Sequence, residues 1–177
     1  VIAMTESELF AHYERIYFHE LNRKEQIFSR LNIPLAVMVA VAGFYAVILK
    51  GDYKLLGLGP QIWFWLLLGA SILGLFIGVG FFIDSLLGRM DKAIATPTAT
   101  ETWRRELLHY YSDEADGQEK TAESVRTMLY EAYMDCATRS MLNNDRKSSS
   151  LYFCNIALIA AAGLAMAAYA IETIPTL

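Results

Sequence analysis

The sequence predicts an all-α membrane protein with three transmembrane helices and a cytosolic helical bundle, its N-terminus inside and its C-terminus outside. Three observations lead there. Residues 62–83, IWFWLLLGASILGLFIGVGFFI, run for twenty-two positions without a charge. At about 1.5 Å per residue that run crosses the roughly 30 Å hydrocarbon core of a bilayer. Two further apolar runs flank it, at 33–49 and 151–171. Over the whole chain 55% of residues are apolar and only 19% are charged, a skew toward membrane proteins.

With 177 residues the chain is sized for one bundle. A net charge of −4 exerts no global pull on nucleic acid, so any anion site must be local. Cys136 and Cys154 are too few and too far apart in context to form a disulfide framework. No Cys/His cluster has zinc spacing, and neither metal nor cofactor is expected. About thirty mostly polar residues, several of them acidic, precede the first apolar run, which is not the pattern of a cleaved signal peptide.

Four segments follow in order: 1–32, 33–83, 84–150 and 151–177. The first is an amphipathic cytosolic helix over 5–31. Thr5 or Ser7 caps it, and Glu6 and Glu8 complement the dipole in its first turn. Phe10, Tyr13, Tyr17, Leu21, Phe28 and Leu31 share its apolar face at helical spacing. Its five acids point to a protein-facing helix rather than one lying on a membrane surface.

The second segment is a transmembrane hairpin. Pro34 opens the first span, Lys50-Gly51-Asp52 closes it, and a Gly- and Pro-containing loop leads to the second. Ala70, Gly74 and Gly78 recur every four residues along the second span. Such a face allows close helix approach in lipid, either among the protein's own helices or between subunits.

In the third segment, ATPTAT at 95–100 breaks the chain, and Thr98 or Thr100 caps a helix over 101–112. An acidic loop, DEADGQE, follows. From Lys120 to Ala162 there is neither glycine nor proline, so one helix is expected to run from cytosol into membrane. Unbroken over 120–171 it would be roughly 75 Å long. The third span is alanine-rich, with Ala157, Ala161 and Ala165 at four-residue spacing.

Orientation comes from the basic residues. Arg15, Arg23, Lys24, Arg30, Arg89, Lys92, Arg139, Arg146 and Lys147 lie on one side of the spans, against Lys50 and Lys54 on the other. The basic side is the cytosolic one. RKEQIFSRLNIPL (23–35) also aligns without gaps with RKSSSLYFCNIAL (146–158), so two helices reach the bilayer through a basic pair and then an asparagine.

Catalytic motifs are sparse. Arg104 and His109 have the R-x4-H spacing of some helical ribonucleases, a spacing that also arises by chance. His12 and His19 lack a third ligand or base, and there is no P-loop or nucleophile elbow. No enzymatic activity is expected. The basic residues Arg23, Lys24, Arg104, Arg105, Arg139, Arg146 and Lys147 form the candidate ligand site, with Trp103 beside them to stack a base. Repeated around a symmetric assembly they would make a ring for a polyanion. The alternative is salt bridging with the local surplus of acids, twelve against nine bases over 84–150, together with lipid head-group contact.

Residues 22–43, NRKEQIFSRLNIPLAVMVAVAG, resemble the ERK-x-x-x-x-RL-x-x-PLG pattern of small bacterial membrane proteins. WRRELLHYY (103–111) and YEAYMDCATRSMLNNDRKSSSLY (130–152) extend the likeness. The block Asn-Asp-x-Arg-Ser falls on Asn144, Asp145, Lys147 and Ser148, where lysine in place of arginine loses bidentate geometry. These proteins are similar to the transmembrane effectors encoded beside nucleotide-signalling enzymes in antiphage defence, the SLATT effectors and the membrane effector of the Hailong system. The resemblance implies an oligomeric channel in the bacterial inner membrane, taken here as a tetramer. A nucleotide or DNA oligomer, made by a nucleotidyltransferase encoded alongside, would gate it, and opening would depolarise the cell.

The spans hold almost no polar residue to line a pore, only Ser71 and the boundary residues Asn32, Asn155, Asp84 and Ser85. A channel would therefore close by dewetting of an apolar constriction, with Ala161 and its neighbours leaving room for it. The competing expectation is a non-conducting membrane anchor that recruits a soluble defence partner.

Overall fold

Thr5 and Glu8 begin the structure with a reciprocal capping box. The Thr5 N–H donates to Glu8 Oε2 at 2.7 Å, and the Glu8 N–H donates to Thr5 Oγ1 at 3.4 Å. Of the two anticipated caps it is therefore Thr5 that starts α1, Glu6–Arg30. The computed structural model describes residues 5–51, 56–87 and 91–173. Arg89 and Lys54, used above for orientation, lie outside the described residues.

α1 ends because Pro34 has no N–H for the Arg30 carbonyl. Leu31 keeps right-handed helical angles (φ −67°, ψ −21°), and α2, Asn32–Ile48, resumes at once. α3, Leu58–Leu86, starts earlier than its apolar run, because Gly59 and Pro60 fit the first turn. α4 is Pro97–Tyr110, and its cap is Thr96, whose hydroxyl accepts from the Ala99 N–H at 3.3 Å. Thr98 and Thr100, the expected caps, lie inside the helix. Pro97 suits the first helical position and moves the start upstream.

α5 is one helix, Gly117–Thr173, as the absence of glycine and proline implies. Its start requires glycine: a Cβ on Gly117 would lie 2.2 Å from the Tyr111 carbonyl oxygen. All five elements are helices, and no strand occurs among the described residues. Three helical stretches, Glu6–Ile48, Leu58–Leu86 and Gly117–Thr173, contain segments long and apolar enough to cross a membrane.

The chain divides into two compact units. The first comprises Val1–Glu25 and Arg89–Asn144, the second Gln26–Gly88 and Asp145–Leu177. In the first unit α1 meets α5 through aromatic edges: Phe10 against Tyr133 at 5.5 Å, Tyr13 against Tyr130 at 5.3 Å, and Tyr17 against Tyr133 at 5.7 Å. Such T-shaped pairs contribute beyond their buried area. The expected apolar face is corrected at two positions. Phe28 is 62% exposed, whereas Glu20 is buried.

In the second unit α5 turns one stripe inward: Lys147, Leu151, Cys154, Leu158, Ala161, Ala165, Ala168 and Glu172. The steps alternate four and three, the 3.5-residue period of left-handed knobs-into-holes packing. α2 answers with Pro34, Met38, Val41 and Ile48, and α3 with Phe64, Leu68, Ser71 and Gly78. One core joins Ile48, Phe64 and Leu68 to Ala165 and Ala168, and another joins Met38 to Cys154 and Leu158. The outer surface is as apolar as the inside. Trp63, Leu66, Leu73, Phe76, Ile159 and Met166 are all more than half exposed. Each would be costly in water and costs nothing in hydrocarbon.

Candidate functional site

A helix in lipid has little to gain from burying apolar groups, so close packing and internal hydrogen bonds must hold the spans together. The second unit uses both. Gly74 and Gly78 let α5 approach α3: a Cβ on Gly74 would sit 3.3 Å from Ala161 Cβ, and one on Gly78 would sit 3.0 Å from Leu158 Cδ2. The small-residue faces of the second and third spans thus meet within the chain itself. Ala161 and Ala165 are fully buried there, and Ala157 lies beside them. Ala70 is exposed and takes no part in this contact, because the inward stripe of α3 passes through Ser71 instead.

Ser71, the hydroxyl within the second span that a pore could use, is buried. Its Oγ donates to the Ala161 carbonyl at 2.6 Å and lies 2.7 Å from the Tyr45 hydroxyl. One polar chain therefore links α2, α3 and α5 at the middle of the apolar bundle.

Where α3 ends, a second polar group forms against α5. Ser150 Oγ donates to Asp84 Oδ2 at 2.6 Å, and Ser85 Oγ donates to the Lys147 carbonyl at 3.1 Å. Arg146 stands 3.8 Å from Asp84. Lys147 is itself buried in this group, while Ser148 is exposed.

The first unit holds the remaining candidate bases, each beside an acid. Arg23 pairs with Glu20 at 3.5 Å. Glu20 also accepts from Asn144 Nδ2, through its carboxylate at 2.9 Å and its carbonyl at 2.8 Å. Lys24 donates to Asp91 Oδ2 at 2.5 Å, and Asn143 donates to the other oxygen at 2.7 Å. Lys92 donates to Asp135, which also pairs with Arg139 at 3.6 Å. These cations, Lys92 first, hold the Asp135 carboxyl below its ordinary range against the opposing effect of desolvation.

On α4, Glu101 accepts from Arg104 at 2.7 and 2.8 Å and from Arg105 at 2.9 Å. The two guanidiniums, Arg104 first, depress the Glu101 carboxyl to about 2. Trp103 is half-buried on the same helix, and His109 is exposed in its last turn. Arg104 thus faces Glu101 in the same helix, with both its Nε and Nη2 engaged.

Of the predicted ligand residues, Arg23, Lys24, Arg104, Arg105, Arg139 and Arg146 each have an acidic partner in the same chain. Arg104 and Arg105 share Glu101, whereas Arg23, Lys24, Arg139 and Arg146 stand beside four different acids. The residues that sequence reasoning passed over are the counterions Glu101, Asp91 and Asp135, together with the buried pair Glu20–Asn144. Glu101 was legible through its three- and four-residue spacing to the arginines. Asp91 carries no local signal, because Lys24 and Asn143 lie far along the chain, and the spacing of Glu20 to Arg23 gives no sign of its distant partner Asn144. Comparison of the chain with protein-family models, with curated proteins and with solved structures finds no match.

Proposed function

We propose that the chain is a multi-pass protein of a bacterial inner membrane that assembles with copies of itself into a gated channel of antiphage defence. In this reading the 84–150 segment and the N-terminus are cytoplasmic. A nucleotide or oligonucleotide signal acting there controls ion flux and depolarises the cell. The observation that carries the reading is α5: a single helix bears both an ion-paired polar stretch and an apolar stretch long enough to cross a bilayer.

A conduction path in such an assembly runs between protomers. Ala161, Ala165 and Ala168 have no exposed surface within one protomer, so the third span's inward face is already filled. The opposite face carries Ala160, Gly163 and Ala167, all exposed. A Cβ on Gly163 would meet nothing within 4 Å. An apolar, small-residue lining of that kind closes by dewetting. Signal binding opens or closes it only by favouring one arrangement of the subunits over the other.

A second reading, a non-conducting anchor that recruits a soluble defence protein, is favoured by the ion pairs. Six of the candidate ligand residues already have acidic partners in their own chain. Ion flux through the purified protein in liposomes separates the two readings, measured with and without cyclic nucleotides and short DNA. Flux that changes with one ligand supports the channel. Absence of flux from folded, oligomeric protein under every condition refutes it.

A further inference from the structure

In the second unit the end of α1, the first turn of α2 and α5 enclose a groove of about 340 Å³. Arg30, Ser148 and Asn155 supply its polar wall, Ile33 and Leu151 its apolar floor, and Tyr152 one edge. Arg30 differs from three of the other bases. Arg23, Lys24 and Arg146 have acidic partners, whereas Arg30 is in no ion pair among the described residues. Arg30 is an exposed residue.

We propose that this groove binds the phosphodiester headgroup of an anionic phospholipid. The guanidinium fork matches two phosphate oxygens, which a point-charge ammonium would not do. The Ser148 hydroxyl and the Asn155 amide add neutral donors for phosphate and glycerol oxygens. The groove's depth in the bilayer fits a headgroup. Arg30 and Ser148 each stand three residues, about one helical turn, ahead of Ile33 and Leu151, where the apolar runs begin. Ile33 is 66% exposed and offers a surface to an acyl chain, while Tyr152, 62% exposed, suits the boundary between water and hydrocarbon. A free phosphate would use the polar wall and leave the apolar floor uncovered, which favours the lipid.

The assignment rests on the membrane reading of the apolar runs, and its test keeps the two apart. The full chain is reconstituted in vesicles of mixed phosphatidylglycerol and phosphatidylcholine, checked by flotation, and the lipid it retains on extraction is measured by native mass spectrometry. The wild type retains phosphatidylglycerol preferentially. Arg30→Gln lowers that preference about fivefold, the effect of one basic residue near the surface. Asn155→Leu also lowers it, and Arg15→Gln leaves it unchanged. Equal preference in the wild type and in both groove variants, each with native helix content, overturns the site. Displacement of the lipid by millimolar inorganic phosphate overturns the lipid assignment in favour of a free anion. Failure to float overturns the membrane reading itself, whereas flotation without lipid preference overturns the headgroup site alone.

Discussion

Ser71 of α3 donates a 2.6 Å hydrogen bond to the Ala161 carbonyl of α5, with the Tyr45 hydroxyl of α2 2.7 Å away. Replacing Ser71 with alanine removes the central member and leaves the Tyr45 hydroxyl without this partner in an apolar interior. The expected loss is about 1 kcal/mol, the upper part of the range for such bonds between helices in a bilayer. Denaturation in mixed micelles measures it. A Ser71→Ala, Tyr45→Phe double variant no less stable than Ser71→Ala alone would show that the pair acts as one unit.

The glycines of the spans fall into two classes, and substitution distinguishes them. Gly78→Ala places a methyl 3.0 Å from Leu158 Cδ2 and should destabilise the protomer by about 1–2 kcal/mol. Gly163→Ala adds a methyl where nothing lies within 4 Å, so protomer stability should hold. Gly163→Leu tests the assembly. Loss of oligomers at unchanged helix content places this face between subunits, and full retention of oligomers removes it from any interface.

Asn144→Ala takes both hydrogen bonds from Glu20 and leaves its buried carboxylate beside Arg23. The cost should be about 2 kcal/mol, as for other buried polar groups stripped of their partners. Hydrogen exchange over the first unit reads it, with faster exchange at residues 13–25 expected. Unchanged exchange there would mean that the pair contributes nothing to this unit's stability.

Arg104 and Arg105 hold Glu101 ionised and depress its carboxyl from 4.5 to about 2. A depressed carboxyl contributes stability that is complete above about pH 4.5 and is lost as the pH falls toward 2. Carboxyl NMR should follow that titration, and a normal midpoint would remove the ion pair. Glu101→Gln frees both guanidiniums beside Trp103. If α4 belongs to the proposed oligonucleotide site, binding of short DNA should tighten several-fold at low salt; unchanged affinity would take α4 out of that proposal.

By itself the sequence determined the helices, because their signals are local. A charge-free run, the proline at 34, the Thr5–Glu8 spacing and the stretch free of glycine and proline after Lys120 each act within a few turns. Where the reading slipped, at Thr96 and at Phe28, a neighbouring residue shifted the frame: Pro97 moved a helix start, and burial of Glu20 and Ile27 rotated a face. Only the tertiary structure decided what the small and polar residues do. Whether Gly78 packs inside a protomer or outside it depends on Leu158, eighty positions away, and whether a base is available depends on acids such as Asp91 with no sequence link to it. Helix propensity and hydropathy are properties of a segment. Partners are chosen only when the segments meet.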